Sequence, residues 1–236
     1  MAKIDLVYSE TLLESGISNY ISWDTDKAAH MAVSGITGMG KTTLVKLICA
    51  RINKYIPASE ITVCDFKGID FQFLNGCSRY YRFDACMDGF NEFYNSFISR
   101  QRNNESYTFR LLMFEEWASF LQYLDKKDAE EAKKKLSSLL MLSRAYNYHI
   151  LLSQQRLSAE SFGNSRDNLN IVITLGNLSK EVRDMLFSEY KEEIRPDRTI
   201  GSGYILTNGS DFRRIVVPYI NNMKLVEENI RQAVER

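Results

Sequence analysis

The sequence predicts an α/β domain, with a mostly parallel central sheet flanked by helices and a β-hairpin near the C-terminus. Three observations carry this. Short apolar runs bounded by charge or glycine recur at His30–Ser34, Ile61–Cys64, Leu111–Phe114, Ile150–Ser153, Ile171–Leu175, Tyr204–Thr207 and Ile215–Val217. Such runs suit strands buried on both faces. Between the first five lie longer segments with helical spacing, and strands alternating with helices imply a parallel sheet. The last two runs are separated by Asn208-Gly209-Ser210-Asp211, a turn signal that predicts a hairpin closing one edge of the sheet.

The intervening stripes are explicit. Leu44, Leu47, Ile48 and Ile52 mark one helix face, Phe90, Phe93, Phe97 and Ile98 a second, and Leu136, Leu139, Leu140 and Ser143 a third. Met223, Val226, Ile230 and Val234 mark a final amphipathic helix, with Lys224, Glu227, Glu228 and Arg231 opposite. That helix either docks on the domain or meets a neighbouring subunit. The three prolines, Pro57, Pro196 and Pro218, fall at element ends. Residues 1–28 read as a lead-in, 29–218 as the core of a single domain, and 219–236 as the terminal helix.

Composition narrows the function classes. Thirty basic and thirty acidic residues cancel, so no global field announces a nucleic-acid partner, and any such affinity must be local. Cys49, Cys64, Cys77 and Cys86 form no Cys-x-x-Cys pair and read as scattered thiols in a reducing compartment. The N-terminus lacks an apolar leader. The longest greasy run, Leu136 to Leu142, is broken by Ser137 and Ser138, well short of a membrane span. The expectation is a cytoplasmic chain with no membrane segment of its own.

Gly35-Ile36-Thr37-Gly38-Met39-Gly40-Lys41-Thr42 fits G-x-x-x-x-G-K-[ST] in full, between a buried strand and an amphipathic helix. Glycines let backbone N–H groups turn inward around phosphates. The helix N-terminus adds its dipole. In this pattern Lys41 reaches the β- and γ-phosphates and the Thr42 hydroxyl ligates Mg²⁺. Thr43 follows on the helix and counts with the nucleotide-binding residues. The ligand expected is ATP with Mg²⁺.

The run Leu111–Phe114 ends in Glu115-Glu116. At that position phosphate-loop ATPases carry an acid that holds Mg²⁺, often followed by a glutamate that activates water. Glu115 is assigned to the metal and Glu116 to the general base. A solvated pair at a strand end is the plain alternative.

The segment from Ser143 to Arg156 reads SRAYNYHILLSQQR, with Arg144 and Gln155 eleven residues apart. It resembles the R-A-x-G-I-H-L-I-L-A-T-Q-R-P stretch of the FtsK/SpoIIIE branch of the FtsK–HerA ATPases. His30–Gly35 is similar to that family's H-L-L-V-A-G lead, Cys64–Gly68 to its I-D-P-K-G strand end, Asn168–Ile173 to its asparagine-led stretch, and Glu181–Leu186 to its D-S-R-x-I-L helix. The order of these pieces covers roughly residues 28 to 190. The resemblance implies a RecA-like core whose Gln155 strand lies between the phosphate-loop strand and the acidic strand. It makes Gln155 a polar sensor of γ-phosphate or attacking water, and Arg144 a finger reaching the nucleotide of an adjacent subunit. Asp65 and Lys67 either line the site or brace a loop, and Arg156 serves either nucleotide or DNA.

The sequence departs from that pattern at Glu115, where aspartate is usual, and at Gln154 and Leu157, where threonine and proline are common. It carries no counterpart of the membrane-spanning region or winged-helix module of the large chromosome translocases, so their directional sequence reading is not carried over. By resemblance the chain is an ATP-driven DNA translocase in a hexameric ring, of the compact kind found in conjugative elements, plasmids and phages and serving DNA-processing or transfer partners. Lys126, Lys127, Lys133, Lys134 and Lys135 are candidate DNA contacts, though pairing with Asp128, Glu130 and Glu131 favours a solvated face. Two other readings stay open: a small-molecule kinase, and a nucleotide-gated scaffold for a DNA-processing complex.

Overall fold

A computed structural model describes residues 2–103, 108–157 and 159–236. The chain runs β1 (Lys3–Ser9), α1 (Glu10–Glu14), β2 (Tyr20–Asp24), β3 (His30–Gly35), α2 (Lys41–Tyr55), β4 (Glu60–Asp65), β5 (Tyr80–Arg82), α3 (Cys86–Asn103) and β6 (Arg110–Glu115). It continues through α4 (Trp117–Tyr123), α5 (Lys126–Leu142), β7 (Tyr148–Gln154), α6 (Ala159–Phe162), β8 (Ile171–Leu175), α7 (Lys180–Leu186), β9 (Ser202–Thr207), β10 (Asp211–Val216) and α8 (Met223–Glu235). Among the described residues, all the strands join one ten-stranded sheet, ordered β2-β1-β10-β9-β8-β3-β7-β6-β4-β5.

From β8 to β5 the pairing is parallel, and from β8 outward to β2 it is antiparallel. The parallel strands are apolar almost throughout because both faces are covered. Met31, Val33, Val63, Met113 and Leu151 meet α2 and α8 through Leu44, Ile48, Ile52, Ile230 and Val234. Ala32, Leu112, Phe114 and Leu152 meet α3, α4 and α5 through Phe90, Phe93, Trp117, Phe120 and Leu136. The seven strands and the α/β class expected from the sequence are present, and α8 docks on its own chain. Asn222 caps its first turn by accepting from the Leu225 N–H at 3.1 Å. Among the described residues, no helix is long and apolar enough to cross a membrane.

The hairpin differs from expectation in its position. Asn208 and Gly209 take positive φ, 51° and 71°, and reverse the chain between β9 and β10 as a tight hairpin requires. It does not close an edge, however, because β1 pairs with β10 and β2 with β1. The sequence marks residues 1–28 only as a lead-in, yet Ile4, Leu6, Val7, Ile21 and Trp23 are buried there. An unpaired β10 would expose a row of backbone donors and acceptors, and the N-terminal strands satisfy them.

Candidate nucleotide site

The carboxyl ends of β3, β7, β6 and β4 come together at one edge of the parallel sheet, where ligands of such sheets bind. Register sets the neighbours: Ser34 lies beside Gln154, Ser153 beside Glu115, and Glu115 beside Asp65. The Gln155 strand, β7, thus stands between the phosphate-loop strand and the acidic strand, as the resemblance implied.

The phosphate loop is held from outside. A Cβ on Gly35, where φ is 144°, would come within 2.4 Å of the Leu175 carbonyl oxygen. Only glycine fits so close an approach. The Gly201 N–H donates to the Met39 carbonyl at 3.1 Å, and the Met39 side chain fills the space beside Gly176. Gly40, at φ 93°, turns the loop into α2. Lys41 is buried, and its Nζ donates to the Ile36 carbonyl at 3.3 Å. Burial lowers its pKa, while Glu115 and Glu116 oppose that shift and favour the charged form.

A cleft of about 390 Å³ opens over this loop, lined by Thr37, Gly38, Lys41, Thr42 and Thr43 on one side and Lys67, Asp70 and Glu115 on the other. Glu115 is 1% exposed, and its Oε2 has no hydrogen-bond partner among the described residues. Burial pushes its carboxyl up to about 7, against the pull of the Ser153 hydroxyl. An orphaned buried carboxylate oxygen in the same cleft as the Thr42 hydroxyl fits a hard cation. Among the described residues there is no cluster of three or more His, Cys, Asp or Glu able to hold a metal.

Glu116 follows in the left-handed region, φ 62° and ψ 46°, where the chain leaves β6 for α4. Its N–H donates to the Ser153 carbonyl at 2.6 Å. The carboxylate is 3% exposed and receives Lys67 Nζ at 2.6 Å, with Ser119 Oγ at 3.4 Å. Burial alone would lower the Lys67 pKa, but Glu116 and then Glu115 hold it above its usual range. Asp65 accepts from the N–H groups of Gly68, Asp70 and Phe71 at 3.0 to 3.1 Å, and from the Tyr80 hydroxyl at 3.3 Å. The roles left open by sequence therefore separate: Asp65 braces the 66–71 loop, and that loop delivers Lys67 and Asp70 to the cleft.

Gln155 lies one residue past β7 and is exposed. Gln154 is fully buried, with neither amide atom partnered among the described residues. In the sequence it stands out only as a departure at a threonine position. Its signal was available, since an amide at the end of a strand buried on both faces needs a partner. Arg144 sits in the turn before β7, exposed, with its guanidinium on the Asp26 carbonyl. The seven residues of β7 separate it by about 23 Å from the phosphate-loop edge. Lys133 and Lys135 pair with Glu130 and Glu131 at 3.0 and 2.7 Å, the solvated-face arrangement. Lys126, Lys127 and Lys134 are exposed.

Comparison with known proteins agrees with this geometry. Over 222 residues the chain is 26% identical to the FtsK domain-containing protein YdcQ of Bacillus subtilis strain 168, covering 83% of this chain. It spans 45% of that relative's length. The pCW3 conjugation coupling protein TcpA, solved as a monomer with ATPγS, superimposes with a TM-score of 0.76 at 19% identity, covering 95% of this chain and 68% of that one. The cytoplasmic domain of the type VII secretion ATPase EccC from Thermomonospora curvata gives 0.70 at 17% identity, covering 99% and 31%. The profile of the helicase HerA central domain (DUF87) matches residues 7–221. With nearly its whole length under that profile and its phosphate loop intact, the chain belongs to the HerA central-domain family and is an FtsK/HerA-type ATPase.

Proposed function

We propose that this ATPase is a ring-forming motor that moves DNA, hydrolysing ATP at sites shared between subunits. The observation that carries the reading is the separation of Arg144 from the phosphate loop of its own chain. Lys41, Thr42, Glu115 and Glu116 converge at the carboxyl edge of the sheet, whereas the candidate finger lies at the amino edge. Arg144 is out of reach of its own nucleotide and available to a neighbour's.

In this reading the phosphate loop binds the triphosphate, and Thr42 and Glu115 hold Mg²⁺, which when bound supplies charge neutralisation at the β- and γ-oxygens. Glu116 takes the proton of the attacking water. Its carboxylate is committed to Lys67 at 2.6 Å, so Lys67 must turn away first, and the phosphate charge in the same cleft is what would draw it. Gln155 or the buried Gln154 orients the water. A hexameric ring, a cytoplasmic setting, and DNA contacts at Lys126 and Lys127 belong to the same proposal. Similarity to a conjugation coupling protein supports a role in DNA transfer. The family assignment removes support from the small-molecule kinase.

The test is the ATPase rate with and without single- and double-stranded DNA, for the wild type and Glu116→Gln. A motor responds to DNA, and Glu116→Gln lowers kcat by roughly 10²- to 10⁴-fold while ATP still binds. Binding with negligible turnover, unchanged by DNA, would mean a nucleotide-gated scaffold instead.

A further inference from the structure

We infer that Ile200 and Tyr219 form the platform for the base of the bound nucleotide, on the flank of the phosphate loop turned away from the acidic strand. This rests on the phosphate-loop reading and goes beyond it by placing the base. The direction of the triphosphate follows from the sheet. Glu115 and Lys67, on β6 and after β4, mark the γ-phosphate end. The nucleoside end must therefore leave across β3 toward β8, β9 and β10.

On that flank one backbone segment lies against the loop and a second pairs with the first. Gly201 N–H bonds the Met39 carbonyl at 3.1 Å, and a Cβ on Gly40 would sit 3.8 Å from the Gly201 nitrogen. Val217 N–H in turn bonds the Gly201 carbonyl at 2.7 Å. Ile200 directly precedes Gly201, and Tyr219 follows Val217 by two residues, within about 7 Å of chain. These are the two most exposed large apolar side chains among the described residues, at 74% and 87%.

The support beneath them is firm. Arg198, its side chain 3% exposed, bonds both carboxylate oxygens of Glu10 at 2.8 and 3.1 Å, and its N–H bonds Asn177 Oδ1 at 2.9 Å. Ser202 closes the 199–202 turn by accepting from the Thr199 N–H at 2.9 Å. Two large apolar groups on an anchored turn and strand end, beside a phosphate cradle, are suited to a flat aromatic ring. Stacking on Tyr219 and van der Waals contact with Ile200 would grip a base by its face.

Equilibrium binding of Mg²⁺·ATPγS and of inorganic tripolyphosphate to the wild type, Tyr219→Ala, Ile200→Ser, Tyr219→Phe and Lys41→Ala tests this. Tyr219→Ala should weaken ATPγS about tenfold, and Ile200→Ser somewhat less, with tripolyphosphate unchanged and Tyr219→Phe close to wild type. Lys41→Ala should weaken both ligands. Wild-type ATPγS affinity in both Tyr219→Ala and Ile200→Ser, or equal losses for the two ligands, would overturn the platform while leaving the loop reading intact. No effect of Lys41→Ala on either ligand would overturn the loop reading itself.

Discussion

The two edges of the parallel sheet are built alike and finished differently. At the amino edge, several polar groups are matched within the chain, and the His30 ring nitrogens and Ser59 Oγ, buried there without a partner among the described residues, are neutral. Asn170 Oδ1 accepts from the N–H groups of Ala29 and His30 at 2.8 and 3.3 Å. His149 Nδ1 lies 3.0 Å from the Ala29 carbonyl oxygen and Nε2 lies 2.9 Å from the Asn147 side-chain amide, with the ring stacked on Phe109. Burial holds both His30 and His149 neutral, pushed down to about 3 and about 4. At the carboxyl edge, Glu115 Oε2 and the Gln154 amide are buried without partners among the described residues. A buried polar group left unpaired costs about 1–3 kcal/mol. The difference between the edges is one of charge: among the unpartnered groups only the carboxyl edge holds a carboxylate oxygen, the kind of atom a cation-bearing ligand would complete. Arg144 is exposed at the amino edge, where its guanidinium donates to the Asp26 carbonyl.

Breaking the contrast from the amino side has the largest effect. In an inter-subunit site Arg144→Ala lowers kcat by about 10³-fold or more, with nucleotide affinity retained, because a finger acts on transition-state charge. Steady-state hydrolysis alongside ATPγS binding separates the two quantities.

A second probe acts at the carboxyl edge. Burial raises the Glu115 carboxyl from 4.5 to about 7. A carboxyl raised on folding costs stability as pH climbs from about 4.5 through about 7, and the penalty is full above that. At 1.36 kcal/mol per pKa unit, Glu115→Gln should stabilise the nucleotide- and metal-free protein by about 3 kcal/mol at pH 8 and by nothing near pH 4. Denaturant melts at both pH values read this, and equal effects at the two would place the cost elsewhere.

The smallest effect is expected from the matched groups of the amino edge. Asn170→Ala leaves two backbone N–H groups without their acceptor, costing about 1–3 kcal/mol. Because the contact lies at the far end of β3 from the phosphate loop, ATPγS affinity of the folded protein should not change.

The same contrast explains what could be read without coordinates. β3, β6, β7 and β8 are buried on both faces, so their apolar runs stand out, and the glycine pattern after β3 carries its own chemistry. β1 reads Lys-Ile-Asp-Leu-Val-Tyr-Ser and alternates toward solvent, and β5 has three residues, so neither announced itself. Arg144 was legible as a residue, but its distance from its own phosphate loop follows from β7 running the depth of the sheet. Lys67 was also legible as a residue. Its placement on Glu116 depends on Asp65 gathering the N–H groups of Gly68, Asp70 and Phe71, which no local pattern encodes. Gln154 and Gln155 are adjacent in sequence, and only the end of β7 separates a buried amide from an exposed one.

The most direct test mixes two variants that the account predicts to be inactive alone. Lys41→Ala removes the lysine proposed to bind phosphate at the carboxyl edge, and Arg144→Ala removes the proposed finger at the amino edge. If each site is built from two chains, mixed assemblies contain some interfaces with an intact loop and an intact arginine, and part of the DNA-stimulated ATPase activity returns. If the mixture stays as inactive as its parts although the two chains co-assemble, or if Arg144→Ala alone hydrolyses ATP at the wild-type rate, the shared site is contradicted.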